Sequence, residues 1–364
     1  MEKNISLRKN LFLCMSFLNY EFAKIDISKF IEEEKCVLKG KRSGKVVSKK
    51  LKEVYAGSLV DRKQGIIKLK NNEKSLAFWM KLNNNQILKK LDTKDVIFPI
   101  YLKLTPRLLS FLTWAEGEFG KSPERNPQWS SSDHQEHNMI MQYFENLFGY
   151  SRSRLIGTIQ INAAKYDSLK KHNGFTKIIL DHVRKLEGIS PDQLIPIRGT
   201  IYQSEIDTIN FYYNPTLFEL LISLANVITH RLSLIAEGKE PWPNWLIGTQ
   251  ENLRKNLAKI DVKSFAKFIG YEVIQNLSGR ISLKPTQSLI NNFSGVTLSK
   301  EVSIELVSPV IDVNLKILNW ASLYMAEGQK NGTGFVNSDL KLVEMILDGI
   351  CQIFNIDSLS PYYY

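Results

Sequence analysis

One short pattern occurs twice in this chain, and each copy ends a predicted helix on a carboxylate. The first spans residues 104–117 and closes on Ala115-Glu116-Gly117; the second spans residues 315–328 and closes on Ala326-Glu327-Gly328. A short polar stretch follows each copy. Ser132-Asp133 and Ser338-Asp339 then open a second amphipathic helix. The two Glu lie 211 positions apart (327 − 116) and the two Asp 206 (339 − 133). A chance Ala-Glu-Gly, such as the one at 236–238 where Gly238 simply stops a helix, does not bring its neighbours along. Matched features at nearly constant offset therefore argue for internal duplication.

The apolar stripe sets the fold class. Helices are expected at Leu7–Phe22, Ile27–Cys36, Leu104–Ala115, Asp133–Phe148, Gly174–Glu187, Thr216–Glu237, Val262–Gln275, Leu315–Ala326 and Asp339–Phe354. Alternating stretches at 155–162, 195–201, 207–212 and 296–310 read as strands. Thr105 caps the first signature helix and Pro106 suits its first position. The sum is an α+β chain. Its expected domains are a basic N-terminal module (1–100), a first half (101–238), a connector (239–310) and a shorter second half (311–364).

In the N-terminal module, Val47, Leu51 and Val54 share one helical face that Gly57 ends. Val60 and Ile66–Leu69 flank a Gly-containing turn. Helix, turn and basic hairpin together resemble a winged helix, in which the helix enters a DNA groove and the wing touches phosphates. Lys49, Lys50, Arg62 and Lys63 are its candidate DNA contacts. The chain carries a net charge of +11, an excess that favours a polyanion. Three widely spaced Cys (Cys14, Cys36, Cys351) form neither a disulfide framework nor a zinc pattern. That usage fits a reducing cytoplasm or organellar matrix, and no stretch reads as a membrane span. His134 and His137, beside Asp133 and Glu136, read as the polar first turn of a helix, and Asp181 and His182 as a solvated face.

The duplicated Ala-Glu-Gly helices, the Thr-Pro opening and the later Ser-Asp cap resemble the LAGLIDADG homing endonuclease family over residues 101–236 and 311–364. The resemblance implies two αββαββα-like halves, the second truncated, whose signature helices pack side by side about a pseudo-twofold axis. It implies that Glu116 and Glu327 meet at the centre as catalytic acids that hold Mg²⁺. It implies antiparallel strands that form a saddle in the major groove of double-stranded DNA, with Arg152, Arg154, Lys165 and Arg198 as contacts. The activity implied is sequence-specific, Mg²⁺-dependent double-strand cleavage by a monomer, or by a chain whose partner supplies missing strands. Two alternatives share the pattern: a non-catalytic DNA-binding regulator, and a maturase that clamps structured RNA. Phe111 stands where the family prefers a small residue, so it is expected to hold the helices apart or force a repack.

Overall fold

The computed structural model describes residues 20–34, 59–70, 94–119, 128–199, 206–261, 263, 271–275, 281–285, 302–304, 310–327 and 340–354. The protein is a mixed α+β chain. Its first described elements are β1 (Ala23–Asp26), α1 (Ile27–Glu34), β2 (Leu59–Asp61), β3 (Ile66–Leu69), β4 (Val96–Pro99), β5 (Tyr101–Leu104) and α2 (Pro106–Glu118). Next come β6 (Gln128–Ser131), α3 (His134–Phe148), β7 (Ile156–Ile161), α4 (Ala163–Lys171), α5 (Phe175–Val183), β8 (Leu194–Arg198), β9 (Thr208–Tyr212) and α6 (Pro215–Glu237). The remainder are β10 (Leu246–Ile247), α7 (Gln250–Arg254), β11 (Ala258–Asp261), β12 (Tyr271–Gln275), β13 (Ile281–Pro285), β14 (Val302–Ile304), β15 (Val310–Val313), α8 (Leu315–Glu327) and α9 (Leu340–Phe354).

The chain divides into two compact units, each assembled from separate stretches. Residues 1–24, 103–118 and 224–364 make the first unit; residues 25–102 and 119–223 make the second.

The first unit holds both signature helices. Thr105 Oγ1 accepts from Leu108 N at 3.1 Å and starts α2; Asn314 Oδ1 accepts from Ile317 N at 3.0 Å and starts α8. These side-chain caps satisfy amides that have no partner inside the helix. α9 packs on α8. β11 pairs antiparallel with β15, from Ala258↔Val313 to Asp261↔Val310. β12, β13 and β14 form an antiparallel meander, with Tyr271↔Pro285 at one end of the first pair. The end of the predicted helix over 262–275 is therefore strand β12. Tyr271, Val273 and Ile274 favour the pleated surface, and Gly270 separates them from the helical pattern before it.

In the second unit, β2, β3 and β4 form an antiparallel meander with Leu69 opposite Val96. Gly65 closes the β2–β3 turn at φ +68, where a side chain would be strained. The hairpin of the expected winged helix is thus present, but it continues into β4; the helix over Val47–Val54 lies outside the described residues. A second sheet has the order β6-β9-β7-β8. Its β7–β8 pair is parallel, whereas β9 runs antiparallel to both β6 and β7. The saddle expected to be wholly antiparallel is therefore mixed, because α4 and α5 form the crossover that a parallel pair needs. Gly157 lies mid-sheet; a Cβ there would come within 2.7 Å of Leu194 and 2.9 Å of Phe211. Asp133 caps α3 through Gln135 N, and Gly149 ends it at φ +65. In the core of this unit, Phe144 stacks on Tyr213 at 4.1 Å, and Phe119 meets Trp129 and Phe218 edge-on.

One element order occurs twice along the chain. A strand reading Ala-Lys-Ile-Asp (β1, β11) precedes a three-stranded meander, which leads to a second strand (β5, β15) and a signature helix. The backbone repeats the joint: Phe22 N donates to Leu104 O at 3.1 Å, and Leu257 N to Val313 O at 2.6 Å. Among the described residues, the stretch 239–310, read from sequence as a connector, thus carries an Ala-Lys-Ile-Asp strand and a three-stranded meander, as residues 1–100 do. α6 corrects another expectation: its 23 residues are long and apolar enough to cross a membrane by length and composition. Most of its apolar stretch is buried within the protein, as suits a core helix.

Candidate functional site

The two signature helices pack directly against each other within the first unit. Two polar bridges cross the contact. Ser110 Oγ lies 2.8 Å from Ser322 Oγ, and Thr113 Oγ1 donates to Asn319 Oδ1 at 3.0 Å. All four side chains are buried, so each bridge satisfies polar groups that water does not reach. Asn319 Nδ2 also donates to Thr229 O at 3.3 Å, which ties the pair to α6.

The bridges have a symmetry of their own. The helix caps Thr105 and Asn314 are 209 positions apart (314 − 105). In that register Ser110 corresponds to Asn319 and Thr113 to Ser322. The bridge Ser110–Ser322 and the bridge Thr113–Asn319 are then the same contact with the two helices exchanged. Such mutual exchange is what a twofold axis imposes on an interface. Phe111 corresponds to Trp320, so large aromatics occupy matching positions. Phe111 does not keep the helices apart: it is fully buried and stacks on Trp114 of its own helix at 6.0 Å. Ser110, one residue earlier, makes the crossing.

The cap register differs by two residues from the register of the Ala-Glu-Gly ends. Glu116 stands eleven residues after its cap (116 − 105), and Glu327 thirteen (327 − 314). Two residues are about 200° of helix and 3 Å of rise. By the cap register Glu118 matches Glu327, and Met325 matches Glu116. Glu116 is 5% exposed. Asn226 Nδ2 donates to its Oε1 at 3.2 Å, and His230 Nε2 lies 3.6 Å from the same oxygen. The side chain of Glu327 lies outside the described residues. Mg²⁺ sites commonly use one or two carboxylates with water and substrate phosphate. Among the described residues, Glu116 offers one carboxylate, and no group of three His, Cys, Asp or Glu is placed to hold a metal.

Overpacking tests the helix contact. Ser110→Leu is expected to destabilise the protein by about 1–3 kcal/mol, because extra methylenes enter a well-packed crossing and Ser322 loses its bridge. Ser110→Ala removes only the hydroxyl and is expected to cost about 1 kcal/mol. Chemical denaturation checks both, and equal effects would mean that the crossing is loosely packed.

Most of the expected DNA contacts are occupied within the second unit. Arg62 reaches Ser28 Oγ at 3.2 Å and lies 3.7 Å from Asp26. Arg152, 13% exposed in its side chain, bonds Glu145 at 2.7 Å and the Glu187 carbonyl at 2.9 Å. That geometry makes Arg152 a clamp between α3 and the loop after α5. Arg154 lies over the Tyr150 ring at 4.9 Å and donates to Lys94 O. Lys165 pairs with Asp207 at 2.7 Å and Arg198 with Asp167 at 3.1 Å. Lys63 is exposed, and Lys49 and Lys50 lie outside the described residues.

One polar chain in the same unit is not evident from sequence. His134 Nε2 lies 2.8 Å from His182 Nδ1, with the rings stacked at 5.0 Å. His182 Nε2 faces Asp207 at 3.4 Å, and Lys165 completes the row. Burial pushes both imidazoles below the usual histidine range. His182 is buried, not on the solvated face expected of it. The only sequence signal was the clustering of His134 and His137 in one helical turn. No family model matches this chain, and no curated protein or solved structure matches it significantly.

Proposed function

We propose that the chain is a LAGLIDADG-type protein that binds double-stranded DNA in a sequence-specific manner and cuts both strands with Mg²⁺. The observation that carries this reading is the direct packing of the two signature helices through two exchanged polar bridges. The family resemblance calls for that contact, and the repeated order of strand, meander, strand and helix suits two related halves. Glu116 in the last turn of α2 and Glu327 at the end of α8 are the proposed acids. Bound Mg²⁺ would supply an activated water and charge neutralisation at the scissile phosphates. The net charge of +11 supports a nucleic-acid partner.

A second reading, a DNA-binding regulator without cleavage, is favoured by the two-residue difference between the cap register and the acid register. A two-strand nicking assay on a duplex library with Mg²⁺ or Mn²⁺ separates the readings. Competition between duplex DNA and structured RNA tests the maturase alternative.

Binding is expected to weaken with salt, by a slope of about −0.9 in log K against log salt for each phosphate contact. Lys63→Ala is expected to lower that slope by about one such contact. Arg62, Arg154, Lys165 and Arg198 must exchange an internal acceptor for phosphate, so their individual effects are expected to be smaller. An affinity that is flat between low and physiological salt would count against a polyanion partner.

A further inference from the structure

The row in the second unit runs from Lys165 on α4 through Asp207, just before β9, to His182 on α5 and His134 on α3. Simple chemistry fixes where its hydrogens sit. A carboxylate only accepts, so His182 Nε2, which faces Asp207 at 3.4 Å, carries a hydrogen. In a neutral ring Nδ1 then accepts, and His134 Nε2 donates to it at 2.8 Å. His134 is the less buried of the two rings, and its Nδ1 is left as the acceptor at the outer end of the row.

Asp207 is shared between two cation sites. Lys165 Nζ donates to both of its oxygens, at 2.9 and 2.7 Å, and so occupies the oxygen that His182 also faces. Lys165 is exposed, whereas the Asp207 side chain is only 10% exposed. In the pair Arg198–Asp167 both residues are exposed, and water replaces a lost partner at little cost. Asp207 is different: if Lys165 swings out to a phosphate, a largely buried carboxylate loses its cation, and that is costly. His182 already stands where the replacement charge is needed. The neighbouring charges agree. Lys185 opposes a charge on either ring, Asp133 favours one on His134, and Lys165 opposes one on His182 while Asp207 favours it. Departure of Lys165 removes a repulsion and leaves the attraction. Lys165 also lies in the first turn of α4, the helix end that attracts anions.

We infer that this row is a proton-linked latch for nucleic-acid phosphate: as Lys165 leaves Asp207 for a phosphate, the histidine pair takes up one proton. The proton enters at His134 Nδ1, and the Nε2 hydrogen of His134 passes to His182 Nδ1. His182 becomes the imidazolium beside Asp207, and His134 stays neutral with its hydrogen on Nδ1. A second proton would set two N–H groups face to face at 2.8 Å, so the pair takes one. The inference rests on the nucleic-acid reading above and adds its regulation: acid tightens binding, by up to about tenfold per pH unit while one proton is taken up.

The test uses the full chain freed of nucleic acid, with a duplex of arbitrary sequence, because phosphate contacts carry no sequence information. Histidine proton resonances are first titrated without DNA, and His182→Gln assigns the His182 signal. Lys165→Ala, at an exposed position, mimics the open latch and should move the His182 titration upward. Calorimetry at about pH 6, in buffers of different ionisation enthalpy, then counts the protons taken up when duplex binds. The parent should take up more than either Lys165→Ala or His182→Gln, by up to about one proton. The exposed His172 is common to all three proteins and cancels. Lys165→Ala keeps both measurements decisive if His182→Gln does not fold. Duplex binding with equal proton uptake in parent and Lys165→Ala, or a His182 titration that Lys165→Ala leaves in place, overturns the latch alone. A parent that binds no duplex overturns the nucleic-acid reading and the latch together.

Discussion

Glu116→Gln is expected to abolish double-strand cleavage, slowing it by on the order of 100-fold or more, equal to about 2.7 kcal/mol of barrier. The amide keeps the size of the side chain and still accepts from Asn226, 3.2 Å away, so the helix end is preserved. It loses the charge that a hard cation requires. DNA binding rests mainly on phosphate contacts elsewhere, so it should stay within about threefold of the parent. Glu327→Gln should behave alike, and the double variant should be no worse than either single, because groups that act as one unit are not additive. Glu118→Gln is the informative control. The cap register pairs Glu118 with Glu327, so loss of cleavage on Glu118→Gln but not on Glu116→Gln would move the first acid two residues along the helix. Cleavage that survives both Glu116→Gln and Glu327→Gln would place the chemistry elsewhere.

The signature helices were legible because their apolar stripe, the Thr105-Pro106 start of the first and the repeated Ala-Glu-Gly all point to one structure. Their register was not. Sequence similarity favours the conspicuous tripeptide, and this sets an offset of 211 (327 − 116). Packing is governed by the helix start and the small polar residues at the crossing, and these follow 209 (314 − 105). Phe111 was misread for the same reason: it was placed at the crossing by the motif, whereas Ser110 occupies the crossing.

Other elements were hidden by weak periodicity. α4 has no buried residue, so no apolar stripe announces it. Only the Asn162 cap, which accepts from Lys165 N at 2.9 Å, marks its start. β12 was hidden by the opposite error, a helical pattern extended past Gly270 into β-branched and aromatic residues. The repeated Ala-Lys-Ile-Asp was legible as a string, but its meaning depends on pairing between residues far apart in sequence. Composition correctly counted the cations, yet it could not show that Arg152 is spent between Glu145 and Glu187.

Acid is expected to destabilise the second unit through His137. This imidazole is fully buried on α3, donates from Nε2 to the Ser131 carbonyl at 3.0 Å and meets the Phe211 ring edge-on at 5.1 Å. Burial penalises the charged ring and pushes its pKa down to about 4; the Ser131 carbonyl offsets only part of that. In the unfolded chain the same ring titrates near the ordinary value of about 6.5. The folded state therefore binds fewer protons between these values, so stability is complete above about pH 6.5 and falls as pH drops towards 4. The difference is about 3 kcal/mol for this one group. His134 and His182 are shifted in the same direction and add to the slope. Carboxylates also titrate at the acid end, so a variant isolates the histidine. His137→Gln keeps a donor for Ser131 but cannot take up a proton. Urea unfolding at pH 7 and pH 4 should show a loss smaller by about 3 kcal/mol in His137→Gln than in the parent, whatever the variant costs at pH 7. A variant that loses as much stability as the parent between those pH values would show that His137 is not the group that charges on unfolding.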